Sequence, residues 1–180
     1  MFSKKKFEEA AKKSELSERV VRDFMNQVYS SHRFVIIEQQ KQIAYARNGH
    51  HIPDIYCSNG NWIEVKEDIS SSKTKNLAFE VSCIRKLMLF ADKFEQPIPY
   101  LAYVNHHNFK IQFFKVEELL CSLDNLVENG LAKKVIGGDN ELELYIVSIE
   151  NTEKYLEYKF IQKGMVDRFA KVARKLLAGK

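Results

Sequence analysis

Asp54, Glu64 and Lys66 are the side chains of this 180-residue sequence whose types and spacing suit chemistry. They belong to the run Ile-Pro-Asp-Ile-Tyr-Cys-Ser-Asn-Gly-Asn-Trp-Ile-Glu-Val-Lys, residues 52–66, in which two short β-type segments, 55–57 and 61–66, flank Ser58-Asn59-Gly60. That pattern predicts a hairpin. Side chains alternate along a strand, so Glu64 and Lys66 leave one face while Ile63 and Val65 leave the other. The turn decides whether Asp54 joins them. A two-residue Asn59-Gly60 turn sets Asp54 opposite Val65, on the wrong face. A three-residue turn with Gly60 left-handed pairs Cys57 with Asn61 and sets Asp54 opposite Glu64. The second arrangement is expected. Two carboxylates with a lysine two residues on suit Mg²⁺, which takes oxygen ligands and keeps several waters; Mn²⁺ should substitute for it. Such an ion polarises a phosphodiester and helps ionise a water, with Lys66 orienting that water or offsetting charge on the phosphorane. The competing reading is a surface hairpin whose acid and lysine form a solvated ion pair of little energetic consequence.

Pro53-Asp54 followed by Glu64-Val65-Lys66 resembles the motif of the PD-(D/E)XK nuclease superfamily, to which many restriction endonucleases and archaeal-type Holliday junction resolvases belong. The resemblance implies a metal-dependent endodeoxyribonuclease in which Asp54, Glu64 and Lys66 are catalytic. Asp54 and Glu64 would hold one or two Mg²⁺ ions, with the Val65 carbonyl as a further ligand. Glu157-Tyr158-Lys159 repeats the acid-x-Lys spacing without a preceding Pro-Asp hairpin and is read as incidental. Glu18-Arg19-Val20-Val21 is similar to the start of the first helix in junction resolvases, where the glutamate reaches the metal. Glu18 is therefore a candidate extra ligand, ahead of Glu15; the alternative is a solvated first-turn acid favoured by the helix dipole. Asn76-Leu77-Ala78-Phe79-Glu80 resembles a segment that follows the catalytic lysine in some members, which makes Glu80 another candidate. Cys83, Arg85 and Lys86 stand where other members carry a glutamine.

The rest of the chain must position these groups. Its 45% hydrophobic and 29% charged residues describe an ordinary globular protein, and 180 residues are enough for a real core. A net charge of +4 is compatible with a polyanionic partner without demanding one. Cys57, Cys83 and Cys121 are odd in number and lack a CxxC pair, so neither a disulfide framework nor a zinc ribbon is indicated, and a reducing cytoplasm is expected. The amino terminus has the charge of a signal peptide but no apolar run behind it, and no window approaches the ~18 apolar residues of a spanning helix, so no membrane is expected. No internal repeat is visible.

Residues 1–13 are a Lys- and Glu-rich arm, frayed or helical. Ser14 is expected to cap a helix carrying Leu16, Val20, Val21, Phe24, Met25 and Val28, ending near Ser31. A strand is predicted over 34–38, continued or paired by 42–46, with a turn at Arg47-Asn48-Gly49. His50 and His51 read as polar surface residues or phosphate contacts, with His51-x-x-Asp54 as a weaker metal pattern. The polar stretch 67–75 offers Ser71, Ser72, Lys73 and Lys75 to DNA phosphates, or is a flexible surface loop. Asn76 is expected to cap a helix running to about residue 93, with Leu77, Val81, Ile84, Leu87, Met88, Ala91 and Phe94 facing the core and Glu80 in its first turn. Arg85 on that helix is a further DNA candidate. Strands follow over 98–104 and 109–116, then a helix over 117–129, a hairpin pairing 133–136 with 142–149, and a basic helix over 152–177. His106-His107 is not the ββα nuclease motif, because a second strand follows directly.

From residue 14 to 104 the predicted order is helix, three strands, helix, strand, which is similar to the αβββαβ core of the superfamily. The expected fold is therefore α/β, a restriction-endonuclease-like core with a mixed sheet flanked by helices, in one domain with its core over 14–115 and additions over 116–180. The expected function is a Mg²⁺-dependent type II restriction-type endonuclease acting on double-stranded DNA as a homodimer. A Holliday junction resolvase or other repair nuclease acting on branched DNA is the enzymatic alternative. A non-catalytic DNA-binding or protein-interaction module is the alternative of another class.

Overall fold

Pairing of alternating apolar residues organises two sheets around a central helix. In a computed structural model, residues 4–38, 41, 42, 44, 45, 51–67, 75–105, 110–137 and 142–156 are described. Ser71, Ser72, Lys73, His50, the 106–107 histidines and the basic stretch over 157–177 lie outside them. In order come α1 (Lys4–Val28), β1 (Phe34–Ile36), β2 (Ile55–Cys57), β3 (Trp62–Glu67), β4 (Asn76–Glu80), α2 (Val81–Phe94), β5 (Tyr100–Asn105), β6 (Lys110–Lys115), α3 (Val116–Glu128), β7 (Ala132–Gly137) and β8 (Leu142–Ser148). A helical turn, Ile149–Asn151, then runs into the π-helical Thr152–Leu156.

The larger sheet has the order β1-β2-β3-β5-β6. β3 and β5 pair in parallel and the other neighbours are antiparallel, so the sheet is mixed. A parallel pair needs a crossover connection, and α2 supplies it between β3 and β5. α1 lays Val20, Val21, Phe24 and Met25 on one face, against Ile55, Ile63, Val65, Val104 and Phe113. On the other face Leu101, Tyr103 and Phe114 meet α2 and α3 through Ile84, Leu87, Leu119 and Leu123. The architecture is thus α/β with a five-stranded mixed sheet flanked by helices.

Three expectations are corrected. The segment over 76–80 is not the start of a helix but β4, which pairs antiparallel with β8 in a second sheet of order β4-β8-β7. Leu77 and Phe79 are buried and alternate with half-buried neighbours, the period of a strand. Tyr145 and Val147 of β8 join them in the core, and the Phe79 ring stands edge-on to Tyr103 at 5.3 Å and to Phe114 at 5.0 Å. Asn76 therefore does not cap α2. α2 begins at Val81 with Glu80 as its N-cap and no side-chain capping bond, and Met88, expected in the core, is 37% exposed. In the second correction Ser14 lies within α1, which begins at Lys4, and its Oγ donates to Glu18 Oε1 at 3.3 Å. In the third, residues 41, 42, 44 and 45 are helical, so nothing there extends β1. The predicted αβββαβ order holds once β4 is inserted before its second helix. Among the described residues no helix is long and apolar enough to cross a membrane.

Candidate active site

The turn after β2 sets the register on which the site depends. Gly60 has φ +91°, its N–H donates to the Cys57 carbonyl at 2.9 Å, and the Cys57 N–H donates to the Asn61 carbonyl at 2.8 Å. Ile55 lies opposite Ile63 and Tyr56 opposite Trp62. This is the three-residue turn, with glycine taking the backbone conformation that a Cβ would strain. Continued one step, the register sets Asp54 opposite Glu64. Asp54 stands just outside β2, one residue before the last paired position, Ile55 with Ile63.

One step further stands Pro53, opposite Val65. Proline has no N–H to offer the ladder. The Val65 N–H donates to Asp54 Oδ2 at 2.8 Å, which fixes the aspartate against the strand that carries Glu64. A strand residue directs its N–H and C=O to the same side, so the Val65 carbonyl lies on the Asp54 side with no ladder donor from Pro53. Gln42 Nε2 donates to Asp54 Oδ1 at 3.0 Å. Glu64, only 1% exposed, accepts from His51 Nε2 at 2.9 Å on Oε2 and from Lys66 Nζ at 2.6 Å on Oε1.

These neighbours divide the two carboxyls electrically. Burial, and then the charge of Glu64, push Asp54 well above the usual carboxylate range, against the opposing Val65 hydrogen bond. Burial would raise Glu64 too, but the His51 hydrogen bond and the Lys66 charge outweigh it and hold Glu64 below its ordinary value. Burial would lower Lys66, but the charge and hydrogen bond of Glu64, with the charges of Cys83 and Asp54, together outweigh it and hold the ammonium above its ordinary value. A half-buried acid and a buried one therefore face each other with unequal proton affinities, beside a lysine locked in its charged form.

Asp54, Glu64 and Lys66 are thus brought together. Glu18 joins them electrostatically: burial raises its carboxyl, Glu64 and Glu15 raise it further, and Lys66 opposes them. Glu80 sits at the junction of β4 and α2, accepting from the Ser82 hydroxyl. Lys75 is exposed with φ +55°, and its carbonyl accepts from the Ile149 N–H at 2.9 Å. Arg85 is exposed and lies 3.9 Å from the Glu143 carboxylate. His51, Gln42 and Cys83 are the site residues that sequence reasoning undervalued. The His51-x-x-Asp54 spacing was a signal for the first; nothing local marked the other two. The Cys83 thiol is pushed up to about 12, by burial and then by the charges of Glu64, Glu80 and Asp54 against Lys66, so it is neutral and a poor nucleophile.

Among the described residues no three His, Cys, Asp or Glu side chains converge as a metal-binding group. The hairpin supplies two facing carboxylates and the Val65 carbonyl, all hard oxygen donors. An acid pair whose mutual repulsion shows in Asp54 fits a small divalent cation that retains most of its waters.

No family model matches this chain. No curated protein matches it either. Among solved structures it is similar to D212, a nuclease from a fusselovirus, at 10% identity, with 88% of this chain and 86% of that chain covered and a TM-score of 0.42. A likeness that weak leaves the site to be read from its own geometry.

Proposed function

We propose that the protein is a metal-dependent DNA endonuclease that hydrolyses phosphodiesters by in-line attack of water. The observation that carries this reading is the pairing of half-buried Asp54 with buried Glu64 across the hairpin, with Lys66 Nζ held 2.6 Å from Glu64. Asp54, Glu64 and the Val65 carbonyl would hold Mg²⁺ or Mn²⁺, with Glu18 as a reserve carboxylate. When bound, the ion would polarise the phosphodiester and favour ionisation of a water. Lys66 stays protonated, so it serves as a fixed cation against charge developing on phosphorus and not as a base. His51 and Gln42 position Glu64 and Asp54. The resemblance to the PD-(D/E)XK motif supports the same assignment.

Cutting two strands needs two such sites, so a homodimer is part of the proposal. A restriction-type enzyme would read base edges in the grooves, whereas a resolvase or repair enzyme would recognise branched DNA by shape. A non-catalytic DNA-binding module is the second reading, favoured by one observation: both Glu64 oxygens are already engaged, by His51 and Lys66.

The test is incubation of the purified protein with plasmid and Mg²⁺, beside Asp54→Ala and Lys66→Ala. Cutting by the parent alone supports the enzyme. Retardation of DNA without cutting supports the binding module, and the absence of both supports a protein-interaction module with no nucleic-acid role. Discrete fragments against selective cleavage of a synthetic junction then separates the two enzymatic classes.

A further inference from the structure

The outer side of α2 carries a feature that phosphodiester hydrolysis does not use. A run of aromatic rings crosses from the sheet onto it. Tyr56 lies 4.8 Å from Trp62, Trp62 stands edge-on to Phe90 at 5.1 Å, Phe90 lies 5.3 Å from Phe94, and Phe94 meets Tyr45 edge-on at 6.1 Å. At the α2 end of this run is a groove of about 380 Å³ with an apolar floor of Leu89, Phe90 and Phe94. Lys86 and Lys93 line it as well, with Asp92 adding one carboxylate. Leu89 is 65% exposed, an unusual position for a large apolar side chain on a helix otherwise bearing charge on that side.

His51 joins this groove to the hydrolytic site. It lines the groove, and its Nε2 lies 2.9 Å from Glu64 Oε2. The His51 ring is thus the one side chain that both lines the groove and touches Glu64 among the described residues. Aromatic faces hold bases by stacking, and lysines hold the phosphates between them. The groove's volume falls within the range of small-molecule sites, room for one nucleotide and not for a duplex. A base within continuous duplex has both faces covered by its neighbours and cannot enter unless it leaves the stack.

We propose that this groove binds an unpaired nucleotide of the strand whose phosphate reaches Asp54 and Glu64. The preferred substrate is then DNA with a single-stranded element at the cut, such as a flap, an overhang or a branch point, in preference to continuous duplex. The proposal rests on the nuclease reading of the neighbouring acids. An acidic protein segment would also meet the two lysines, but it gives no reason for the aromatic rings that line the groove with them.

The experiment measures binding of the full-length protein in EDTA, where no metal-dependent cleavage occurs, to three fluorescein-labelled DNAs of one sequence: single strand, blunt duplex, and duplex with a flap. Fluorescence anisotropy should show the single strand and the flap bound about 5- to 100-fold more tightly than the blunt duplex, the range expected of base stacking. Trp62 is the one tryptophan of the chain, so its emission should change with the single strand and not with the duplex. Phe94→Ala should erase the preference while leaving duplex binding within about twofold. Leu89→Asp is the companion variant, since its exposed side chain can be replaced without disturbing the core, and it should erase the preference too. Equal affinity for all three DNAs, or a preference that survives both folded variants, overturns the proposal. Cleavage with Mg²⁺ but no preference overturns this inference alone; a preference with no cleavage on any of the three overturns the hydrolytic reading on which it rests.

Discussion

Replacing Asp54 by Asn removes one negative charge at nearly constant shape, and it should stabilise the metal-free protein while destroying cleavage. Burial and the charge of Glu64 are what raise the Asp54 carboxyl. Two like charges about 5 Å apart repel by about 3 kcal/mol at an effective dielectric constant near 20. The Lys66 ammonium offsets part of this, leaving about 1–2 kcal/mol. For a chain of this size that is a rise in Tm of about 2–8 °C. The variant amide oxygen can still accept from the Val65 N–H, and Gln42 can turn its own oxygen toward the new NH₂ group, so no buried donor is stranded. The assay is thermal unfolding in EDTA between pH 5 and 8. A carboxyl whose folded-state pKa is raised contributes stability that is fully present below the unfolded value and is lost as pH rises through the folded value. The parent should therefore lose stability as pH rises from the unfolded carboxyl value to the folded one, by at most about 1.4 kcal/mol per pH unit for one proton, and Asp54→Asn should not. Added Mg²⁺ should raise the parent's Tm and leave the variant's unchanged. A variant that melts at or below the parent in EDTA across this range would refute the view of 54 and 64 as a strained acid pair.

Lys66→Ala should cut at least about 100-fold more slowly, because it removes the cation facing the reacting phosphate; single-turnover cleavage of a labelled oligonucleotide measures this. The sign is opposite at Glu64, whose folded-state pKa is lowered by His51 and Lys66: its contribution is present above the unfolded carboxyl value and is lost as pH falls through the folded one. His51→Ala should therefore move the onset of acid unfolding to higher pH, read as urea midpoints between pH 3 and 6. Phe79→Ala should cost about 3–5 kcal/mol, because the ring is fully buried and packs edge-on against Tyr103 and Phe114. Urea unfolding checks it, and an unchanged midpoint would mean that β4 does not hold the two sheets together.

The hairpin of the site was legible in the sequence because every force that shapes it is local. Ser58-Asn59-Gly60 closes a three-residue turn, glycine admits the positive φ, and a side-chain period of two then decides which residues face one another. Asp54, Glu64 and Lys66 follow from that register by counting. The stripe of α1 was legible for a similar reason, since Val20, Val21, Phe24 and Met25 repeat at helical spacing within one element. β4 was not. Leu77 and Val81 are four apart, which suits a helix, while Leu77 and Phe79 are two apart, which suits a strand. The choice is made by β8, whose Tyr145 and Val147 arrive from far along the chain to pair with Phe79 and Leu77. Strand pairing draws its hydrogen bonds from a distant segment, whereas a helix draws them from itself, so propensity alone could not settle residues 76–80. The supporting groups of the site depended on tertiary structure for the same reason. Gln42 reaches Asp54, His51 reaches Glu64 and Cys83 comes beside Lys66 through the packing of separate elements. Which groups could do chemistry was written in residues 54 to 66; how strongly each holds its proton was decided by what the fold buried around them.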